Sequence, residues 1–253
     1  MTRLDGQVAV VTGGNRGIGL GLAEGVAAAG ASVAIWARDA GRNAEACQHL
    51  KEYAPGIQAV AYTCDVSDED QVDAAMAATL ADLGRVDSLF ANAGVGGTTA
   101  FLEMSLDEWR RVLAVNLDGA FLTMRAAARH LVERGEGGAL VAVSSVSAIH
   151  GAPRMEHYAA AKTGLLGLVR GLAVELARHR VRCNAILPGW MDTEMIEPGK
   201  ENPRWVENTV KRTPLRRWGQ PSDLRDIAAF LADPSVVFHT GDSMVVDGGY
   251  SIF

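Results

Sequence analysis

Cysteine is scarce in this chain of 253 residues: Cys47, Cys64 and Cys183 stand apart, with no CxxC pair among them. That pattern excludes a disulfide framework or dithiol motif and fits a reduced, cytoplasmic setting. The six histidines are equally dispersed, so a metal-ligand cluster has little support. No stretch approaches the roughly 18 consecutive apolar residues of a membrane span. The first residues place Asp5 ahead of a short apolar run at 8–11, so the chain reads as neither spanning nor exported. There is no basic tract either: 24 Lys and Arg face 30 Asp and Glu, a net charge of −6. Nucleic acid is therefore not expected as a partner.

What is present is a hydrophobic content of 48%, enough for a substantial core in a length that suits one domain, residues 1–253. No internal repeat or low-complexity linker divides it. Short apolar runs at 8–11, 33–37, 57–62, 88–91, 140–143, 181–187 and 244–246 read as seven strands, separated by segments of helical period. Some helices show their ends: Ser105 followed by Glu108 resembles a capping box, and Gly30 stops a helix over 18–29. Strand and helix in alternation predict an α/β fold, a parallel sheet covered by helices on both faces. One stretch, from Gly189 to about Pro221, breaks the alternation and contains Pro198, Pro203, Pro214, Trp190, Trp205 and Trp218. A loop of that length is usually functional or mobile, although an ordinary surface excursion is the alternative.

Glycines 13, 17 and 19 follow the first strand and open a helix. Such a turn lets the backbone approach a pyrophosphate, while the helix start aims its free N–H groups and positive dipole end at the anion. The spacing departs from GxGxxG, and a plain strand-to-helix turn is the competing reading. Farther on, Ser145 ends the fifth strand, and Tyr158 and Lys162 are spaced four apart at the start of a helical pattern. Residues i and i+4 share a helix face, so phenol and ammonium can enter one cleft. A neighbouring cation favours a phenolate, which brings a group of pKa about 10 nearer to working pH. Ser145 can donate to a substrate oxygen as charge develops there. Taken singly, Ser145 suits a turn cap and the Tyr–Lys pair a solvated helix face.

Together these segments resemble the short-chain dehydrogenase/reductase family, in its short single-domain branch, along essentially the whole chain. The likeness is carried by Thr12–Gly19, Asp65-Val66, Asn92-Ala93-Gly94, Asn116, Ser145, Tyr158, Lys162, Pro188-Gly189, Thr193 and Asp247–Gly249. It implies a Rossmann-type doubly wound sheet and a nicotinamide cofactor. The resemblance implies that Asn116, Ser145, Tyr158 and Lys162 form the catalytic tetrad. Asn116 would position a water that links Lys162 to solvent; read alone, it is an interior helix amide bonded to a neighbour. The cofactor would lie against Gly13, Asn15, Arg16, Gly17, Ile18, Gly19, Arg38, Asp65, Val66, Asn92, Ala93, Gly94, Tyr158, Lys162, Pro188, Gly189 and Thr193. Asp65 and Val66 would meet adenine, and Thr193 would hold the carboxamide.

The expected reaction is hydride transfer between the cofactor and a carbonyl or secondary alcohol, with Tyr158 as general acid or base. A cofactor-sensing or scaffold protein on the same fold is the alternative, favoured only if the tyrosine or lysine were missing. Cofactor choice is expected to be NADPH. Ala37 stands where an acid would bind the ribose of NAD, and Arg16 and Arg38 can converge on a 2′-phosphate; Asp39 reaching back to the ribose is the competing reading. His150, Met155, Trp190, Met191 and Met195 either line an apolar substrate pocket or belong to the core. Likeness to 3-oxoacyl-carrier-protein reductases is weakened by Glu133 and Glu136 among Arg129 and Arg134. Residues 190–212 are expected to form a lid, and the apolar residues spread around the helix after Tyr158 predict a homo-oligomer, as a tetramer by resemblance.

Overall fold

A computed structural model describes residues 3–253. Seven strands form one parallel sheet: β1 (Val8–Thr12), β2 (Ser32–Ala37), β3 (Ala59–Thr63), β4 (Ser88–Ala91), β5 (Gly138–Val143), β6 (Val181–Pro188) and β7 (Ser243–Val246), in the spatial order β3-β2-β1-β4-β5-β6-β7. The chain leaves β1 toward β2 on one side and later returns to place β4 on the other. The carboxyl ends of β1 and β4 therefore flank the crevice where open α/β sheets bind ligands. Central strands are apolar on both faces because helices cover both: β1 is buried along its length, as is β6.

One face packs α1 (Gly17–Ala28), α2 (Ala40–Tyr53) and α9 (Arg225–Ala232) around Val11, Leu22, Ile35, Phe90 and Ile186. The other packs α3 (Glu69–Leu83), α5 (Gly119–Arg134) and α6 (Glu156–Leu176) around Trp36, Leu89, Met124, Leu140 and Leu165. Caps are written in the sequence. Asp39 and Asp68 accept from the backbone of Arg42 and Gln71 at the starts of α2 and α3, and Gly84 and Gly135 end α3 and α5 in the left-handed region.

Several expectations change. The third strand begins at Ala59, because Gly56 turns the chain just before Ile57, which packs against the core from the connecting loop. Only half of the capping box forms at α4 (Leu106–Leu113): Ser105 accepts from the Glu108 N–H, but the Glu108 carboxylate is taken by Arg111. The stretch from Gly189 to Pro221 is largely folded, with a 3₁₀ turn at Glu194–Ile196, α7 (Glu197–Lys200) and α8 (Pro203–Arg212). Its prolines mark starts: Pro198 and Pro203 sit in the first turns of α7 and α8, where a missing N–H costs nothing.

Candidate active site

The glycine-rich turn and the end of β4 are built as one unit around Thr12. Its hydroxyl oxygen accepts from the backbone N–H groups of Asn92 and Ala93, each at 2.9 Å. The Asn92 amide returns the contact, donating to the Thr12 carbonyl at 2.9 Å. Gly19 closes the turn because nothing larger fits: a Cβ there would lie 2.1 Å from the Gly13 carbonyl oxygen and 2.5 Å from Asn92 Nδ2. Arg16, the N-cap of α1, makes no side-chain cap, and no acid occupies the first turn. The helix start is thus left without a competing side-chain acceptor, as an anion site requires. Thr193 lies across this turn, its methyl group 3.4 Å from where a Gly17 Cβ would stand. A dinucleotide phosphate fits this cradle. Asn15 is tied to Asn43 at 2.8 Å, Val66 is buried, and Asp65 receives the Ser67 N–H and hydroxyl. Pro188 ends β6, and the Gly189 N–H donates to the Val246 carbonyl. Ile18, in the first turn of α1, packs partly buried against the core face that holds Leu22, and Gly94 lies beside Asn116 and Lys162.

Asn116, Ser145, Tyr158 and Lys162, the four residues expected to act together, come from three elements beside this cradle. Ser145 follows β5, and its hydroxyl oxygen accepts from the Ser147 N–H at 3.1 Å, capping a short 3₁₀ turn. The cap reading is therefore correct, but it uses the oxygen and leaves the O–H free to donate. Lys162 is buried and donates to the Val143 carbonyl at 2.8 Å. Its ammonium stands 5.6 Å from the centre of the Tyr158 ring, so the helical spacing does bring both into one cleft. Ser144 braces this arrangement by donating to the Lys162 carbonyl.

Electrostatics here differ from the expected arrangement. Burial pushes the Tyr158 phenol up, and the opposing influence is the Ser145 hydroxyl rather than Lys162. Burial likewise pushes Lys162 down to about 8, because no carboxylate accompanies it. Asn116 lies in a single π-helical turn, Ala114–Asp118, between α4 and α5, a feature common at functional sites. Its amide donates to the carbonyls of Val95 and Val112 and accepts from the Val95 N–H. The side chain is thus an interior amide that clamps the segment after Gly94; a Gly94 Cβ would come within 2.6 Å of it.

Around the entrance the arginines are arranged otherwise than the sequence suggested. Arg16 pairs with Glu194, and Arg42 Nη1 donates to the same carboxylate at 3.0 Å. Arg38 instead faces Asp65 at 3.9 Å. Asp39 caps α2, its Oδ1 accepting from the Arg42 N–H. Arg42 escaped the sequence reading because it lies one helical turn beyond the strand end. Met191 is core, buried against Gly219. Met195 lies over Gly96, and Trp190 stacks edge-on against Trp205 and Tyr250.

The enoyl-(acyl carrier protein) reductase family model matches residues 13–251. L-rhamnose 1-dehydrogenase (NAD(P)(+)) of Sphingomonas sp. is 38% identical over 249 residues, covering 98% of both chains. The crystal structure of a short-chain type dehydrogenase/reductase from Mycobacterium marinum superposes with a TM-score of 0.93 at 34% identity, covering 99% of this chain and 97% of that one. That of a gluconate 5-dehydrogenase from Burkholderia cenocepacia in complex with NADP and tartrate gives 0.94 at 34% identity, over 100% and 98%. Fold and cradle define a dinucleotide-dependent oxidoreductase. The chain belongs to the short-chain dehydrogenase/reductase family, and it is an enzyme that transfers a hydride between a nicotinamide cofactor and a carbonyl or alcohol.

Proposed function

We propose that the chain is an NADP(H)-dependent carbonyl reductase or secondary-alcohol dehydrogenase, with Tyr158 as its general acid and base. The observation that carries this is the convergence of three side chains on one cleft: the Tyr158 phenol, the Ser145 hydroxyl against it, and the buried Lys162 ammonium 5.6 Å from the ring. When bound, the cofactor supplies or accepts the hydride. In the reductive direction Tyr158 gives its proton to the developing alkoxide, while the free O–H of Ser145 donates to the same oxygen. A phenol raised by burial stays protonated at neutral pH and is suited to act as the acid. Lys162 supplies a positive charge that lowers the cost of the phenolate left behind. Asn116 fixes the segment that walls the site, and the family resemblance gives it the further role of positioning a water between Lys162 and solvent.

Residues 190–212 form the lid over the substrate, hinged after Gly189 and resting on the cradle through Thr193 and on Gly96 through Met195. Two relatives are named for a sugar and a sugar acid, which favours a small polyhydroxylated substrate. A carrier protein is disfavoured: Glu133 and Glu136 stand among the arginines, and Arg134 is bound to Asp87 and to the Val86 and Gly137 carbonyls. No helix among the described residues is long and apolar enough to cross a membrane, and a cytoplasmic setting suits the three free, buried cysteines. The cofactor-sensor alternative finds no support, since tyrosine and lysine are both in place.

The test is turnover over a panel of sugars, sugar acids and simple ketones with both cofactors, for the wild type and Tyr158→Phe. The variant should bind cofactor as the wild type does and lose at least about a hundredfold in turnover. Substantial residual turnover would remove Tyr158 from its role.

A further inference from the structure

The first turn of α6 leaves backbone N–H groups without intrahelical partners, and its N-cap, Met155, makes no side-chain cap. His157 supplies the missing acceptor. Its Nδ1 accepts from the Tyr158 backbone N–H at 2.8 Å, and the ring is completely buried. An accepting Nδ1 places the neutral ring's proton on Nε2. That atom has no hydrogen-bond partner in the structure and faces Glu108 Oε1 at 3.5 Å, across the contact between α4 and α6.

Glu108 is itself held by Arg111, whose Nε and Nη2 donate to it at 2.8 and 2.9 Å, and Arg111 Nη2 also reaches the Gly96 carbonyl at 3.2 Å. Gly97 covers the junction: a Cβ there would lie 2.7 Å from Glu108 Oε1 and 3.1 Å from His157 Nε2. The segment after Gly94 is thus fixed twice, by Asn116 at Val95 and by Arg111 at Gly96.

We propose that His157 is a positioning residue for Tyr158. Its Nδ1 fixes the backbone that carries the phenol, while its Nε2 faces Glu108 on the Arg111-held wall of the site. This rests on the acid–base role proposed for Tyr158. The imidazole acts through the Tyr158 main chain, so its loss alters the geometry of proton transfer and leaves binding of substrate and cofactor largely intact.

Two amide variants separate the ring's two nitrogens, since Asn carries its oxygen where Nδ1 stands and Gln carries its amide where Nε2 stands. His157→Asn should keep kcat within about threefold of wild type, whereas His157→Gln should lose roughly ten- to a hundredfold, the scale on which small misplacements lower turnover. KM and the cofactor dissociation constant should stay within about twofold in both, as expected when only transition-state geometry is lost. Independently of activity, ¹⁵N NMR of the wild-type ring should find the proton on Nε2 alone. Equal kcat in the two variants, or a proton on Nδ1, overturns the proposal. Tyr158→Phe tells this failure from that of the underlying reading: an inert Tyr158→Phe beside a fully active His157→Gln removes only His157 from its role.

Discussion

Lys162 Nζ is held by the Val143 carbonyl at 2.8 Å, in the buried seam between α6 and β5, with no carboxylate to balance its charge. An ammonium in such a place works against the fold. The unfolded chain binds this proton with the ordinary pKa near 10.5 and the folded site with about 8. Between those values the unfolded state holds more proton, so stability rises with pH through that window, and below pH 8 the full penalty applies.

Lys162→Met is therefore expected to be more stable than the wild type at pH 7, by about 1–3 kcal/mol once the lost hydrogen bond to Val143 is counted. The gain should fade as pH rises from 8 to 10.5, and turnover should collapse at every pH. Urea denaturation across that range, beside a steady-state assay, checks it. A variant less stable than wild type at pH 7 would mean that the charge is compensated.

Thr12 offers a second test, on the frame rather than the chemistry. Its hydroxyl accepts two N–H groups from the end of β4, and the side chain is buried. Thr12→Val keeps the shape and leaves both donors unpaired, with an expected cost of about 1–3 kcal/mol. Thr12→Ser retains the oxygen and should lie close to wild type. Cofactor binding should weaken with Val alone, because the glycine turn and the Asn92–Gly94 segment are no longer locked together. Denaturation midpoints and cofactor titration by fluorescence give both readings.

The strand pattern and the shared cleft of Tyr158 and Lys162 are legible because each depends on local rules. Apolar runs mark buried parallel strands, and the four-residue spacing of Tyr158 and Lys162 can mean only one face once a helix forms. What escaped depends on contacts across the sheet. Nothing local joins Thr12 to Asn92, eighty residues away, or Arg42 to Glu194. His157 carries no local signal, because the group it faces, Glu108, lies on another helix. The segment after Gly189 was read as a loop since its helices are short and start at prolines, which in sequence punctuate chains more often than they open helices.

The apolar surface of α6 gives a prediction of assembly. Leu165, Leu166 and Val169 are consumed by the chain's own core, but Leu168 and Leu172 line a groove of about 450 Å³ with Phe121, Ala128 and Val132 of α5. Arg125, Arg129, Glu133 and Glu175 rim it with both signs of charge, which a second copy related by a two-fold axis can match. A homotetramer is expected by light scattering at micromolar concentration. Leu168→Glu with Leu172→Glu should shift it to smaller species while leaving the circular dichroism of the fold unchanged; a monomeric wild type would refute the assignment of this face.

Cofactor choice turns on Glu194. Ala37 ends β2 without a carboxylate, and Asp39 caps α2, so the strand end lacks the acid that NAD-specific sites place there. Arg16 and Arg42 already share one anion, the Glu194 carboxylate, and Arg38 stands nearby on Asp65. All four of these side chains outside Asp65 are well exposed, so their pairings are weak and readily exchanged for a phosphate, which guanidiniums bind bidentately. The expected outcome is a preference for NADPH over NADH, with Glu194 as the competitor that the 2′-phosphate must displace. Glu194→Gln should tighten NADPH severalfold and leave NADH unchanged; Ala37→Asp with Arg38→Leu should reverse the preference. Dissociation constants for both cofactors, measured by titration without substrate, decide the matter. A wild type that binds NADH more tightly, or a Glu194→Gln variant that tightens both cofactors alike, would show that these arginines do not read the phosphate.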